Sequence, residues 1–226
     1  MHSSGRKTIL VAGLAILLSP AVWRGEEKAG GGVAVRPPRE VEFAATVHAK
    51  SFNSGWIMPG YHAIVWKGGH AAHAALLEAE VSDRQVLKAL ESLKARPGNN
   101  LPMEAWEERK NPRHPAPDTV TAGPAVEVLL RLPDRERLVP LASVLEDPGG
   151  RGVAMRFGGN EVNIPKWKSG CIVCLYSCPG SKVGNARYTV RDYEKGVTRF
   201  RAKPGVLPSD GTPIRVVLRV NAPQKV

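Results

Sequence analysis

Long apolar runs are almost absent from this 226-residue sequence. Only residues 8–22, TILVAGLAILLSPAV, approach the ~20 residues that a membrane-spanning helix needs. A bundle of spanning helices is thereby excluded. Cysteine is scarce: there are three, and the odd number argues against a scaffold built only on paired disulfides. Acidic residues are outnumbered, 21 Asp and Glu against 32 Lys and Arg, for a formal net charge of +11. That balance suits an anionic partner or surface. No helix-turn-helix, zinc-finger or RNP pattern accompanies it, so no nucleic-acid partner is expected. His-Glu-x-x-His, a P-loop and a Gly-x-Ser-x-Gly elbow are also missing, and no residue is assigned a catalytic role. There is no internal repeat.

What is present is a globular balance, 42 % apolar and 23 % charged, with 19 Pro and 23 Gly marking many turns. Arg6 and Lys7 precede the apolar run, and Ser19 and Ala21 are small residues placed for cleavage before Val22. This pattern is that of a signal peptide at residues 1–21. The expected location is the periplasm or the outer face of a bacterial envelope, with no stable span once the signal is removed. No cysteine follows the run, so a lipid anchor is not expected. Residues 22–40 hold three consecutive glycines and two prolines and read as a flexible linker. The folded domain is expected at 41–226.

Within that domain, strand patterns occur at 41–48, 61–66, 76–81, 125–132 and 213–220. Weaker ones lie at 138–141, 153–157 and 171–175. Ser82 with Gln85 makes a capping box, and Val86, Leu90 and Leu93 then repeat at helical spacing until Pro97-Gly98. Short helices are also expected at 70–75 and 186–195. Residues 98–123 carry four prolines and read mainly as loop. Strands and helices mix without regular βαβ alternation. The expected class is α+β: a mixed, mainly antiparallel sheet with a few short helices in a single domain.

The chemistry-bearing feature is Cys171-Ile-Val-Cys174-Leu-Tyr-Ser-Cys178-Pro179. Its C-x2-C-x3-C-P spacing equals the last three quarters of a bacterial ferredoxin run, with Lys168 where the first cysteine would stand. Three readings stay open. The thiols ligate an iron–sulfur cluster or zinc, with a fourth ligand from elsewhere. Two of them form a structural disulfide in a non-catalytic interaction domain, leaving one thiol. All three are inert, partly buried thiols. His62, in a strand, is the candidate fourth ligand, while His70 and His73, three apart, read as surface residues. A nucleophilic-cysteine enzyme is the least favoured class, because no base lies close in sequence. Arg187, Arg191 and Lys195 recur every four residues and form a candidate basic rim for an anionic protein partner. Tyr188 and Tyr193 read as core anchors.

The segments YHAIVWKGG, ALLEAEVSDRQVLKALESLKARPGNNL, LEDPGGRG, SGCIVCLYSCPGSKVGNARYTVRDY and GTPIRVVLRV resemble the YdjY-domain family of bacterial envelope proteins. The resemblance runs from about Val41 to Val220. It implies an exported protein with a signal-peptide or lipoprotein start and a cysteine block sometimes labelled ferredoxin-like. It implies no particular reaction. The sequence departs from the family by lacking a lipobox.

Overall fold

Alternating apolar residues in 213–220 and 40–47 build two long strands that sit side by side at the centre of the sheet. The computed structural model describes residues 32–36, 38–98, 101–111 and 119–221. The expected signal peptide, most of the expected linker, the Asn99-Asn100 pair and His114 lie outside the described residues. In chain order the strands are β1 (Ala34–Arg36), β2 (Glu40–Val47), β3 (His62–Trp66), β4 (Ala75–Ala79), β5 (Val126–Arg131) and β6 (Val139–Pro140). They continue as β7 (Leu145–Glu146), β8 (Met155–Phe157), β9 (Cys171–Cys174), β10 (Val183–Asn185), β11 (Arg201–Ala202) and β12 (Pro213–Val220). The helices are α1 (Ala49–Ser54), α2 (Asp83–Ser92), α3 (Glu104–Glu107), α4 (Ile164–Trp167) and α5 (Val190–Glu194). The described residues form one compact unit.

Among them a ten-stranded sheet runs in the order β6-β5-β12-β2-β4-β3-β9-β10-β8, with β1 also on β2. Only β3–β4 and β9–β10 pair in parallel, so the sheet is mixed and mainly antiparallel. The fold is α+β, as the sequence leads one to expect. One difference is at the start: Ala34–Arg36, inside the stretch read as linker, pairs with Glu40–Glu42 as a strand. The helix expected at 70–75 is a single 3-10 turn, Ala72–Ala74. The one expected at 186–195 begins only after Thr189, whose side chain caps it in a box with Asp192.

The central ladder alternates cleanly. Phe43, Val216, Leu218 and Leu130 are buried, while cross-strand ion pairs cover the other side. Glu42 takes Arg36 at 2.7 Å and Arg215 at 3.0 Å, and Arg219 bridges Glu40 at 2.7 Å and Glu127 at 3.2 Å. Helix α2 opens on the expected capping box: Gln85 N–H donates to Ser82 Oγ and Ser82 N–H to Gln85 Oε1. Its Val86, Leu87 and Leu90 are buried, and it packs on β2 and β9. This places Asp83, in its first turn, over the cysteine-bearing end of the sheet. No helix among the described residues is long and apolar enough to cross a membrane.

Candidate metal centre

Cys171 and Cys174 are three residues apart on β9, and a regular strand would send them to opposite faces. The β3–β9 pairing is irregular in two places: His62 faces Cys174, Ile64 faces Val173 and Val65 faces Cys171, with a register shift between each pair and the next. Such bulges re-aim side chains. The result is that one donor atom each from His62, Cys171 and Cys174 lies within 4.8 Å of the others. All three residues are buried, and all three cysteines are free thiols.

Cys178 completes the neighbourhood from the turn after β9. Its loop is held from below by two buried asparagines. Asn160 Nδ2 donates to the carbonyls of Cys178 and Ser181 at 3.3 and 2.6 Å, and Asn163 Nδ2 to those of Pro179 and Leu101 at 2.8 and 3.2 Å. The same loop carries Lys182, which is fully buried. Its Nζ sits 3.0 Å from the Gly180 carbonyl and 3.5 Å from Asp83 Oδ2. Burial pushes the Lys182 pKa down, while Asp83, Cys171 and Cys178 act in the opposite sense. A buried cation paired with one carboxylate and electrostatically coupled to two thiols is suited to a site carrying negative charge.

The thiols differ in acidity. A hydrogen bond with Cys174 holds the Cys171 thiolate, so that its pKa falls to about 6 despite burial, with His62 and Lys182 adding to the effect. Burial drives Cys174 well up, and its position as donor to Cys171 and Cys178 reinforces this. Cys178 is also buried, yet Cys174, the Tyr61 hydroxyl and the Gly180 N–H turn toward its sulfur and bring its pKa down. His62 leaves Nδ1 buried with no hydrogen-bond partner among the described residues. Such a group is costly unless something binds there.

A cleft of about 400 Å³ opens over this cluster. His62, Cys171 and Cys178 line it, Trp106 and Trp167 meet edge to face beside it at 5.1 Å, and the exposed His70 and His73 lie on its rim. The Tyr61 ring, which stacks on Tyr176 at 4.8 Å, backs the cluster from the core. Tyr188 and Tyr193 are buried, as expected of anchors.

His62, Cys171 and Cys174 come together, with Cys178 beside them. Lys168, at the position of the missing ferredoxin cysteine, is exposed at the left-handed end of α4. The basic rim needs correction: Arg187 and Lys195 are exposed, but Arg191 is buried and donates to the Glu108 carbonyl at 3.3 Å. The fourfold spacing is not one face, because α5 starts only at Val190 and Arg187 precedes it. Lys182, five residues before Arg187, belongs to the buried site. Asn160, Asn163, Tyr61 and Asp83 carry no sequence signal that points to the cysteines.

A mixed-sheet domain with a buried thiol–imidazole cluster under an aromatic-edged cleft is the class that this geometry defines. The YdjY domain family matches residues 37–219, and the chain belongs to that family. "Uncharacterized protein YdjY" of Escherichia coli (strain K12) is 31% identical over 160 residues, which is 70% of this chain and 67% of the relative. No solved structure matches.

Proposed function

We propose that this chain is an exported envelope protein whose domain holds a single thiophilic metal ion, zinc being the first choice, on Cys171, Cys174 and His62. Cys178 is the candidate for the fourth position. The observation that carries this reading is the convergence of the three donor atoms within 4.8 Å on a bulged strand pair. In a tetrahedral zinc site with Zn–S near 2.3 Å, two sulfurs sit about 3.8 Å apart, so only a small contraction is needed. An iron–sulfur cluster ligated by cysteine alone calls for four thiolates, and the chain has three cysteines. Thiolate and imidazole donors favour zinc or cuprous copper over hard cations. The buried Lys182 and the low pKa of Cys171 favour the deprotonated ligand form.

Protein purified without oxygen should be colourless and carry about one zinc or copper per chain by elemental analysis, with the thiols protected until the ion is chelated. Iron with broad visible absorption would replace this reading by a cluster. Absence of metal with one titratable thiol of three would replace it by a disulfide-stapled interaction domain. The position of Cys174 between the other two thiols favours that outcome as the second reading.

A further inference from the structure

We propose that His70 and His73 form a receiving station through which the ion passes on its way to the buried Cys171–Cys174–His62 site. The inference rests on the metal-binding reading above and adds a kinetic function to two residues outside the ligand set.

Both imidazoles stand at one cleft, His73 within the 3-10 turn Ala72–Ala74 and His70 just before it. Ala72 N–H donates to the Gly69 carbonyl and Ala74 N–H to the Ala71 carbonyl, both at 3.1 Å, so the segment turns with three-residue closure. Both side chains line the cleft that has His62, Cys171 and Cys178 deeper in it, and both are exposed. The rim is also tied to the loop that delivers Cys171. His70 N–H donates to the Lys168 carbonyl at 3.0 Å, and Ala71 N–H to the Ser169 carbonyl at 3.1 Å. A Cβ on Gly69 would stand 2.3 Å from the Ser169 oxygen, and one on Gly170, at φ +71°, would stand 2.7 Å from the Gly69 Cα. Only glycine permits so close a crossing. The station and the site are therefore parts of one packed unit.

Donor chemistry gives the direction. Among the described residues no carboxylate lines the cleft, and the one lysine there, Lys166, repels rather than ligates. An arriving ion meets imidazole first and thiolate last, which is an ascending order of affinity for a thiophilic metal. The step is ligand exchange without electron transfer. A bond from the ion to its carrier breaks as a bond to His70 or His73 nitrogen forms. That bond is then replaced by one to Cys171 Sγ, and any proton on the thiol leaves to solvent.

The test compares the full chain with the H70A/H73A variant, anaerobically, with zinc supplied from and returned to a chromophoric chelator. Equilibrium affinity and stopped-flow rates are both read, and circular dichroism checks the fold of the variant, whose two changes are on the surface. The expected result is unchanged affinity with loading and removal slowed together by about tenfold, the change that ~1.4 kcal/mol of lost transition-state stabilisation produces. A wild-type protein that takes up no zinc overturns the metal reading itself. Wild-type uptake with an equally fast variant overturns the station alone. Uptake with a large loss of affinity in the variant also overturns it, by making the two histidines ordinary ligands.

Discussion

From Pro213↔Thr46 to Arg219↔Glu40, the β12–β2 pairing keeps register through seven consecutive residues, whereas the β3–β9 pairing shifts twice between His62 and Val65. The two regions of one sheet also differ in what they bury. Under β12 lie Val216, Leu218, Phe43 and Leu130, all apolar, with charges paired on the other face. Around β9 lie three thiols, an imidazole with an unpartnered nitrogen, a lysine and an aspartate. The regular half keeps its alternation and pairs its charges. The irregular half breaks several local rules of strand design, and broken rules concentrate where a fold presents chemistry. Stability and ligand binding should therefore be separable by mutation.

The largest expected effect is on metal affinity. Cys174 is opposite His62 in register and touches both other thiols. Cys174→Ala should weaken zinc binding by more than the ~10–100-fold usual for outer-shell partners. Competition against a chelator of known affinity reads this, and the unfolding midpoint of the metal-free protein should move little. A metal-free variant that fails to fold would mean that the cysteine end is also the core of the fold, and the comparison would collapse.

Two core changes come next. Leu218→Ala in the regular half should cost about 2–5 kcal/mol in denaturant unfolding, and the folded fraction should bind metal normally. Lys182→Met should cost about 3–5 kcal/mol, because it leaves Asp83 buried without its cation, and it should weaken metal binding as well. The double change with Asp83→Asn should recover part of the stability but not the affinity. Equal recovery of both would mean that Lys182 has only a structural role.

A smaller effect follows from acid. The Asp147 carboxylate resists its own partial burial by accepting from Tyr188, Thr198 and the N–H groups of Gly149 and Gly152, and its pKa is lowered. Glu42 is likewise lowered, by Arg215 and Arg36 against burial. A depressed folded-state pKa gives stability that is complete above the unfolded value, about 3.9 for Asp. It is lost as pH falls through the folded value. Asp147→Asn should therefore flatten the fall of the unfolding midpoint below pH ~4. The effect should leave metal affinity at neutral pH untouched, since Asp147 lies at the far end of the tyrosine cluster.

Much of the regular half is legible in the sequence, because alternation in 213–220 and 40–47 and the Ser82–Gln85 box are local signals. The cysteine spacing and His62 also point to the site. What could not be read is how three-residue spacing on a strand becomes one cluster, since that depends on where β3 and β9 lose register. Lys182 shows the same limit: in sequence it is one of seven basic residues in 181–203, and only the turn held by Asn160 and Asn163 takes it inside. Arg191 shows the same limit, because its four-residue spacing from Arg187 runs across the helix boundary that Thr189 sets and so does not put it on the exposed face.

The smallest change tests the join between the two regions. Helix α2 packs on β2 in the regular half and on β9 in the other, and its first turn carries Asp83 to Lys182. Ser82 holds that turn through its capping box. Ser82→Ala should cost about 1 kcal/mol of stability by freeing the N-terminal amides. If Asp83 is held by the packing of Val86, Leu87 and Leu90, metal affinity should stay within twofold of wild type, because the Lys182 pair survives the loss of the cap. If affinity falls in step with stability, the cap rather than the packed face positions Asp83, and the charge balance of the thiol site is set from a helix terminus that otherwise serves the core.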